Sequence, residues 1–142
     1  MNDIRVDVAV IGAGPAGVAA AIGAREAGAR DVLVLERDWD LGGILQQCIH
    51  PGFGLHTFKE ELTGPEFMHR WIGRAHDAGV RFMTNSMVSG MRSDGSLDVM
   101  PPGRGVFRVT AEAVVLAMGC RERTLGAINI PGGRPAGIYT AG

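Results

Sequence analysis

The sequence predicts an α/β fold in which a parallel sheet carries helices on both faces and receives an inserted antiparallel β-meander. Three observations predict this class. Residues 6–37 hold two apolar runs around a small-residue segment, with a glycine-rich turn after the first run. Short apolar runs separated by turn residues follow position 87, and a fully apolar run occupies residues 113–117. Alternating strands and helices favour a parallel sheet, and a continuous apolar run is typical of its buried strands.

The first unit is a strand, a turn, a helix and a second strand. The first strand is predicted at residues 5–11, the helix at residues 15–27 and the second strand at residues 32–36. Gly28 marks the end of the helix, because glycine readily adopts the left-handed conformation that closes one. A unit of this kind is typical of a Rossmann-like fold.

The turn of this unit has the spacing of a dinucleotide site. Gly12 permits the tight turn, Gly14 lets a pyrophosphate approach the backbone, and Gly17 lets the helix pack closely on the strand. The start of the helix offers free amides and the positive end of its dipole. Glu36 lies nineteen positions after Gly17, near the spacing of about 20 for an acid that binds a ribose hydroxyl. With strands and helix in place around it, the turn indicates dinucleotide binding.

The segment after the second strand is predicted to be mostly irregular. Residues 38–43 form a loop, in which Gly42 and Gly43 permit a close approach to a ligand. Residues 44–48 form a helical turn. Residues 50–54 are predicted to be irregular, because a proline and two glycines break either regular pattern.

A second long helix is predicted to begin at a capping box. Thr63 is its N-cap, Pro65 lies in its first turn, and Glu66 stands three residues after the cap. Gly79 ends the helix, and residues 80–83 form the third strand of the sheet.

The last predicted elements are all strands. The meander comprises residues 87–92, 97–100 and 106–110, and residues 113–117 form a fourth parallel strand. The predicted order of the four parallel strands is 3-2-1-4, with the ligand at their carboxyl ends.

Composition and charge exclude several classes of protein. The 142 residues fit one domain, and the formal net charge of −1 provides no basic surface for nucleic acid. No apolar stretch is long enough to span a membrane. Cys48 and Cys120 form no disulfide framework, which favours a cytoplasmic location. The histidines lack the spacing of metal ligands, so no metal site is predicted.

Three further segments point to a family. They are residues 41–50 (LGGILQQCIH), residues 110–124 (TAEAVVLAMGCRERT) and residues 130–142 (IPGGRPAGIYTAG). With the glycine turn, they resemble the pyridine nucleotide-disulfide oxidoreductase superfamily, whose members are glutathione-reductase-like. Within it, the chain is similar to the flavin subunits of opine oxidase, hydrogen cyanide synthase and sarcosine oxidase. The resemblance covers nearly the whole sequence.

The resemblance implies that residues 1–142 are the N-terminal part of a Rossmann-like FAD-binding domain. The family continues past Gly142 into an NAD(P)-binding domain, so NAD(P) is expected to serve the longer protein. The intact enzyme would pass hydride or electrons between NAD(P)H, or a small organic substrate, and FAD. A partner subunit in an oxidoreductase complex is also expected.

The site residues follow from the family by position. Glu36 and Arg37 would contact the adenosine, and Val88 would contact the adenine. Gly42 and Gly43 would run along the ribityl chain and the isoalloxazine. The cofactor-binding residues that the resemblance implies are Gly12, Gly14, Pro15, Ala16, Gly17, Glu36, Arg37, Gly42, Gly43, Ile44, Val88, Ala117 and Gly119.

The catalytic group is not identified by the sequence. Cys48 is a candidate beside the flavin, although a lone cysteine is more often a small buried hydrophobe. The paired cysteines of disulfide reductases are missing, so an intramolecular dithiol relay is not expected here. His50 and His56 would lie near the flavin or the substrate. Two alternatives stay open: an NAD(P)-binding dehydrogenase domain without flavin, and a non-catalytic nucleotide-binding fragment.

Overall fold

The computed structural model describes residues 3–103, 105–129, 131–133 and 135–139. Most of the predicted elements form within one or two residues of the expected bounds. The elements in chain order are β1 (Ile4–Ile11), α1 (Pro15–Glu26), β2 (Val32–Leu35), a 3-10 helix (Gly43–Gln47), β3 (Pro51–Phe53), α2 (Leu55–Phe58), β4 (Leu62–Thr63), α3 (Gly64–Asp77), β5 (Arg81–Met83), β6 (Met87–Met91), β7 (Leu97–Met100) and β8 (Phe107–Leu116).

The main sheet has six strands in the order β5-β2-β1-β8-β7-β6. β1 lies between β2 and β8 and pairs with both in parallel, so that Ile11 stands beside Leu35 on one side and Leu116 on the other. β5 adds to β2 in parallel, while β7 and β6 continue the sheet antiparallel beyond β8. The predicted 3-2-1-4 order of the parallel strands is therefore confirmed.

One strand of the sheet is longer than predicted. The sequence predicts a break between residues 106–110 and residues 113–117, but both runs belong to the single strand β8. β1 pairs with β8 from Val109 to Leu116, and this parallel ladder keeps the backbone extended through Glu112. The same strand therefore ends the meander and forms the fourth parallel strand.

A short second sheet corrects another prediction. Residues 50–54 are predicted to be irregular, but β3 pairs antiparallel with β4, with Pro51 opposite Thr63. The glycines allow this geometry, since Gly52 and Gly54 both have positive φ angles of 126° and 88°. The small sheet connects the 3-10 helix to the start of α3.

The two faces of the main sheet are covered differently. Val32 and Val34 of β2 face a cluster that includes buried residues of both long helices, α1 and α3. Leu33 and Leu35 face the opposite cluster, which contains Leu97, Val99 and Val109 of the meander strands. The fold class is confirmed, but the expectation of helices on both faces is corrected: within the described ranges both long helices lie on one face.

The α3 helix begins as the sequence predicts. Thr63 is its N-cap, and the Glu66 backbone amide donates to the Thr63 hydroxyl at 3.5 Å. In return the Glu66 carboxylate accepts from the Thr63 backbone amide at 2.8 Å and from its hydroxyl at 2.7 Å. These hydrogen bonds, the backbone one first, lower the pKa of Glu66 below its ordinary value. No helix in the described part of the chain is long and apolar enough to cross a membrane.

Candidate functional site

The turn after β1 is closed by contacts that leave no room for side chains at two of its glycines. The Gly12 amide donates to the Leu35 carbonyl at 2.8 Å, with φ at +103°. A Cβ on Gly12 would overlap the Ala117 carbonyl, and a Cβ on Gly17 would overlap the Gly12 carbonyl. Gly12 and Gly17 are therefore required by the packing of β1, α1 and the end of β8.

Gly14 differs from these two glycines, because the chain itself has no need of it. Its φ is −71°, which any residue adopts, and no described atom lies within 4 Å of where its Cβ would be. Gly14 is the N-cap of α1, yet it supplies no capping side chain, and the first turn contains no acid. Ser, Thr, Asp or Asn would cap the helix better than glycine does. Because Gly14 has no side chain, the space in front of the first turn of α1 stays open.

The start of α1 has the properties of an anion site. The amides of the first helical turn have no carbonyl partner within a helix, and Pro15 at the first position has no amide to satisfy. The helix dipole adds a partial positive charge at the same end. Ala16 and Gly17 therefore present amides that a phosphate group can accept from.

Glu36 connects the end of β2 to the glycine turn. Its side chain is buried, with 6% of its surface exposed. One carboxylate oxygen accepts from the Ala13 amide at 2.8 Å, and the other accepts from the Asp38 amide at 2.9 Å. Each oxygen has a second lone pair, so the carboxylate retains the capacity to accept from a ligand hydroxyl.

The second glycine pair passes directly beside the turn. The Gly42 amide donates to the Ala13 carbonyl at 2.9 Å. A Cβ on Gly43 would stand 3.0 Å from the Gly14 Cα, which is tighter than nearly all real contacts. Both glycines have positive φ angles, 119° and 56°. Ile44 follows Gly43 in the sequence and is 64% exposed.

The other predicted residues differ in how they relate to this arrangement. The Ala117 amide donates to the Ile11 carbonyl at 2.9 Å, which places Ala117 behind the turn. Val88 lies in β6, two residues after Ser86, whose amide donates to the Glu36 carbonyl at 2.7 Å. Arg37 is exposed, with its Nε 3.7 Å from a carboxylate oxygen of Asp38. Gly119 is exposed and lies beyond the end of β8.

The candidate catalytic residues are not gathered into one cluster. Cys48 is half-buried, and its thiol donates to the Ile44 carbonyl at 3.6 Å, whereas Cys120 is exposed. His50, just before β3, and His56, in α2, are both exposed, and the His50 ring is tilted by 39° against the Phe53 ring at 5.4 Å between centroids. The role of Cys48 stays a prediction.

Sequence reasoning missed the residue at the centre of the site. Ala13 donates its amide to Glu36 and accepts from Gly42 through its carbonyl, so it joins the two glycine segments and the acid. Asn85 was also missed: its amide donates to the Asp38 carbonyl at 2.9 Å, and its φ of +50° is left-handed. An asparagine between two small polar residues after a strand is a turn signal that could have identified it.

Comparisons with known proteins identify relatives of this chain. The chain is 31% identical to hydrogen cyanide synthase subunit HcnB of Pseudomonas protegens, across 94% of this chain and 28% of that protein. It is 34% identical to sarcosine oxidase subunit alpha of a Corynebacterium species, across 86% of this chain and 14% of that protein. The chain thus spans less than a third of the length of each of these two relatives.

Solved structures share the fold. L-proline dehydrogenase from P. horikoshii superimposes with a TM-score of 0.72 and 25% identity, over 87% of this chain and 25% of that one. Thioredoxin reductase from Streptococcus pyogenes gives a TM-score of 0.69 with 21% identity, over 88% of this chain and 39% of that one. Residues 6–140 match the family described as pyridine nucleotide-disulphide oxidoreductase. The chain therefore belongs to the pyridine nucleotide-disulphide oxidoreductase family, as its glycine turn and later segments predict.

Proposed function

We propose that this chain binds the ADP moiety of FAD and forms the nucleotide-binding part of a flavin-dependent oxidoreductase. One observation carries the proposal. The start of α1 is left without a capping side chain at Gly14, although no contact within the described chain requires a glycine there. A ligand that needs close access to the backbone explains the choice, and a pyrophosphate is such a ligand.

The described residues fit the ADP moiety in three places. The pyrophosphate would lie at the amides of Ala16 and Gly17, in front of Gly14 and Pro15. The ribose would donate to the Glu36 carboxylate, which is held in place by its bonds to two backbone amides. The adenine would lie toward Arg37 and Val88, because the chain leading to β6 bonds to the Glu36 carbonyl.

The flavin end of the cofactor has a partial site. Gly42 and Gly43 pass beside Gly14 and expose Ile44 to the space beyond, which supports their assignment to the ribityl chain and the ring. Ala117 and Gly119 complete the assignment at the end of β8. When bound, FAD supplies the acceptance and release of hydride or electrons. The described residues contribute binding and orientation, with Cys48 as the one proposed participant near the ring.

The electron donor and the partner of the longer enzyme are also proposals. Membership of the family supports NAD(P)H or a small organic substrate as the donor. The two relatives named above are subunits of enzymes, which supports a partner subunit for this protein too. The free thiols of Cys48 and Cys120 support a cytoplasmic location.

Titration calorimetry of the purified chain tests the proposal. We expect ADP and FAD each to bind and to compete with one another, because both place an ADP moiety at the start of α1. Gly23→Ala should bind ADP like the native chain, because Gly23 lies on the same helix with no described atom near its Cβ position. Binding of NAD without any binding of FAD would instead favour a nicotinamide dehydrogenase domain.

A further inference from the structure

The two tryptophans of this chain are in opposite environments. Trp71 lies on α3 and packs against Phe58 and Phe67, with ring centroids 6.1 and 6.3 Å apart. Trp39 lies three residues after Glu36 and has 79% of its side chain exposed. Because an indole gains much free energy on burial, an exposed tryptophan so near Glu36 in the sequence is a candidate to contact a ligand bound there.

The backbone on both sides of Trp39 is held against the nucleotide site. Before it, the Asp38 amide donates to the Glu36 carboxylate at 2.9 Å, and the Asp38 carbonyl accepts from Asn85 at 2.9 Å. After it, the Gly42 amide donates to the Ala13 carbonyl at 2.9 Å. The indole therefore projects from a loop whose two ends bond to the glycine turn and to its acid.

The charges around Trp39 select one end of the proposed ligand. Asp38 and Asp40 are the sequence neighbours of Trp39, and both are exposed. A pyrophosphate beside two carboxylates would meet like charge, while the start of α1 offers it amides and a positive dipole end. The uncharged adenosine end is the part of an ADP moiety that suits a position beside Trp39.

The geometry points to Trp39 as an adenosine-binding residue, whose indole packs on the adenine or ribose of the bound ADP moiety and covers it from solvent. This assignment rests on the proposed function. An indole face stacks well on a nucleobase, and the contact would bury apolar surface of both groups. The hydrogen bonds at both ends of the loop lower the entropy cost of this contact, because the backbone is already ordered before the ligand binds.

Fluorescence of single-tryptophan variants tests the assignment directly. The chain is freed of bound nucleotide and titrated with ADP, which does not itself emit in the tryptophan range. In Trp71→Phe, where only Trp39 emits, ADP should quench the emission, because a stacked adenine quenches an indole. In Trp39→Phe, where only Trp71 emits, ADP should leave the emission unchanged. Inorganic pyrophosphate should quench neither variant.

Affinities measured by calorimetry supply the second readout. Trp39→Ala should raise the Kd for ADP about tenfold, which is typical of the loss of one base–aromatic stack. Trp39→Phe should stay within about threefold of the native chain, because a phenyl ring preserves the stack. Circular dichroism should show the Trp39 variants folded, since Trp39 is 79% exposed.

Two failures can be told apart. If ADP binds the native chain and Trp39→Ala with the same Kd, and the emission of Trp39 does not change, the assignment is overturned while the proposed function stands. If neither ADP nor FAD binds the native chain, the proposed function fails and the assignment falls with it.

Discussion

The two long helices of this protein begin in opposite ways. α3 begins with Thr63 and Glu66, whose side chains and backbone amides satisfy each other reciprocally. α1 begins with Gly14, which offers no side chain, and its first turn carries no acid. Both helices have a proline in the first turn, so the difference lies in the cap residue and in the acid of the first turn. The chain itself supplies partners for the first amides of α3, whereas at α1 we propose that a ligand supplies them.

The largest expected effect is on the free energy of unfolding, at a glycine that the packing of the turn requires. Gly17→Ala should lower the free energy of unfolding by about 3 kcal/mol, because its Cβ would overlap the Gly12 carbonyl in a turn that β8 holds from behind. Chemical denaturation followed by circular dichroism measures the loss.

Gly23→Ala on the same helix is the control for that experiment. No described atom lies within 4 Å of its Cβ position, so the substitution should raise the free energy of unfolding by about 0.5–1 kcal/mol through helix propensity. Equal effects at positions 17 and 23 would mean that the close packing of the turn does not govern stability.

Local patterns explain which parts could be predicted from the sequence. The β1–α1–β2 unit depends on neighbours along the chain, and its bounds follow from apolar runs and from Gly28. The capping box at Thr63 is likewise contained in four residues, and it forms as predicted. The ligand-contacting role of Gly42 and Gly43 stays a prediction.

The remaining features depend on contacts between distant segments. The run through Glu112 looks like a break in a strand, yet pairing with β1 makes it the middle of β8. Pairing of Pro51 with Thr63 likewise makes a strand of a segment that proline and glycine alone mark as irregular. The Glu36 carboxylate accepts from the Ala13 amide, which is 23 residues away in the sequence. A pattern of apolar residues carries no information about such a bond.

A second prediction concerns a variant in which α1 gains a capping side chain. Gly14→Asp should raise the free energy of unfolding by about 0.5 kcal/mol, since the carboxylate would cap α1 and interact favourably with the positive end of its dipole. The same change should weaken ADP binding on the order of 100-fold, because the new carboxylate occupies the phosphate position and repels it. Denaturation and calorimetry on one preparation measure both effects.

Thr63→Ala provides the reverse case at α3. It should lower the free energy of unfolding by about 1 kcal/mol and leave the Kd for ADP unchanged, because that helix start is already used by the chain. If Gly14→Asp bound ADP as tightly as the native chain, the open cap of α1 would have no role in nucleotide binding.

The smallest expected effect concerns the charge within the α3 cap. Hydrogen bonds from Thr63, helped by the charge of Arg70, lower the pKa of Glu66 below its ordinary value of 4.5. A carboxyl whose pKa is lower in the folded state stabilises the fold at a pH above its ordinary pKa. This contribution is lost as the pH falls through the folded pKa.

Glu66→Gln keeps a capping acceptor without the charge. The native chain should therefore exceed Glu66→Gln in stability at about pH 7, and this excess should shrink at about pH 3. Comparing the two proteins at each pH cancels the titration of all other acids, so an excess that stays constant would assign the cap to hydrogen bonding alone.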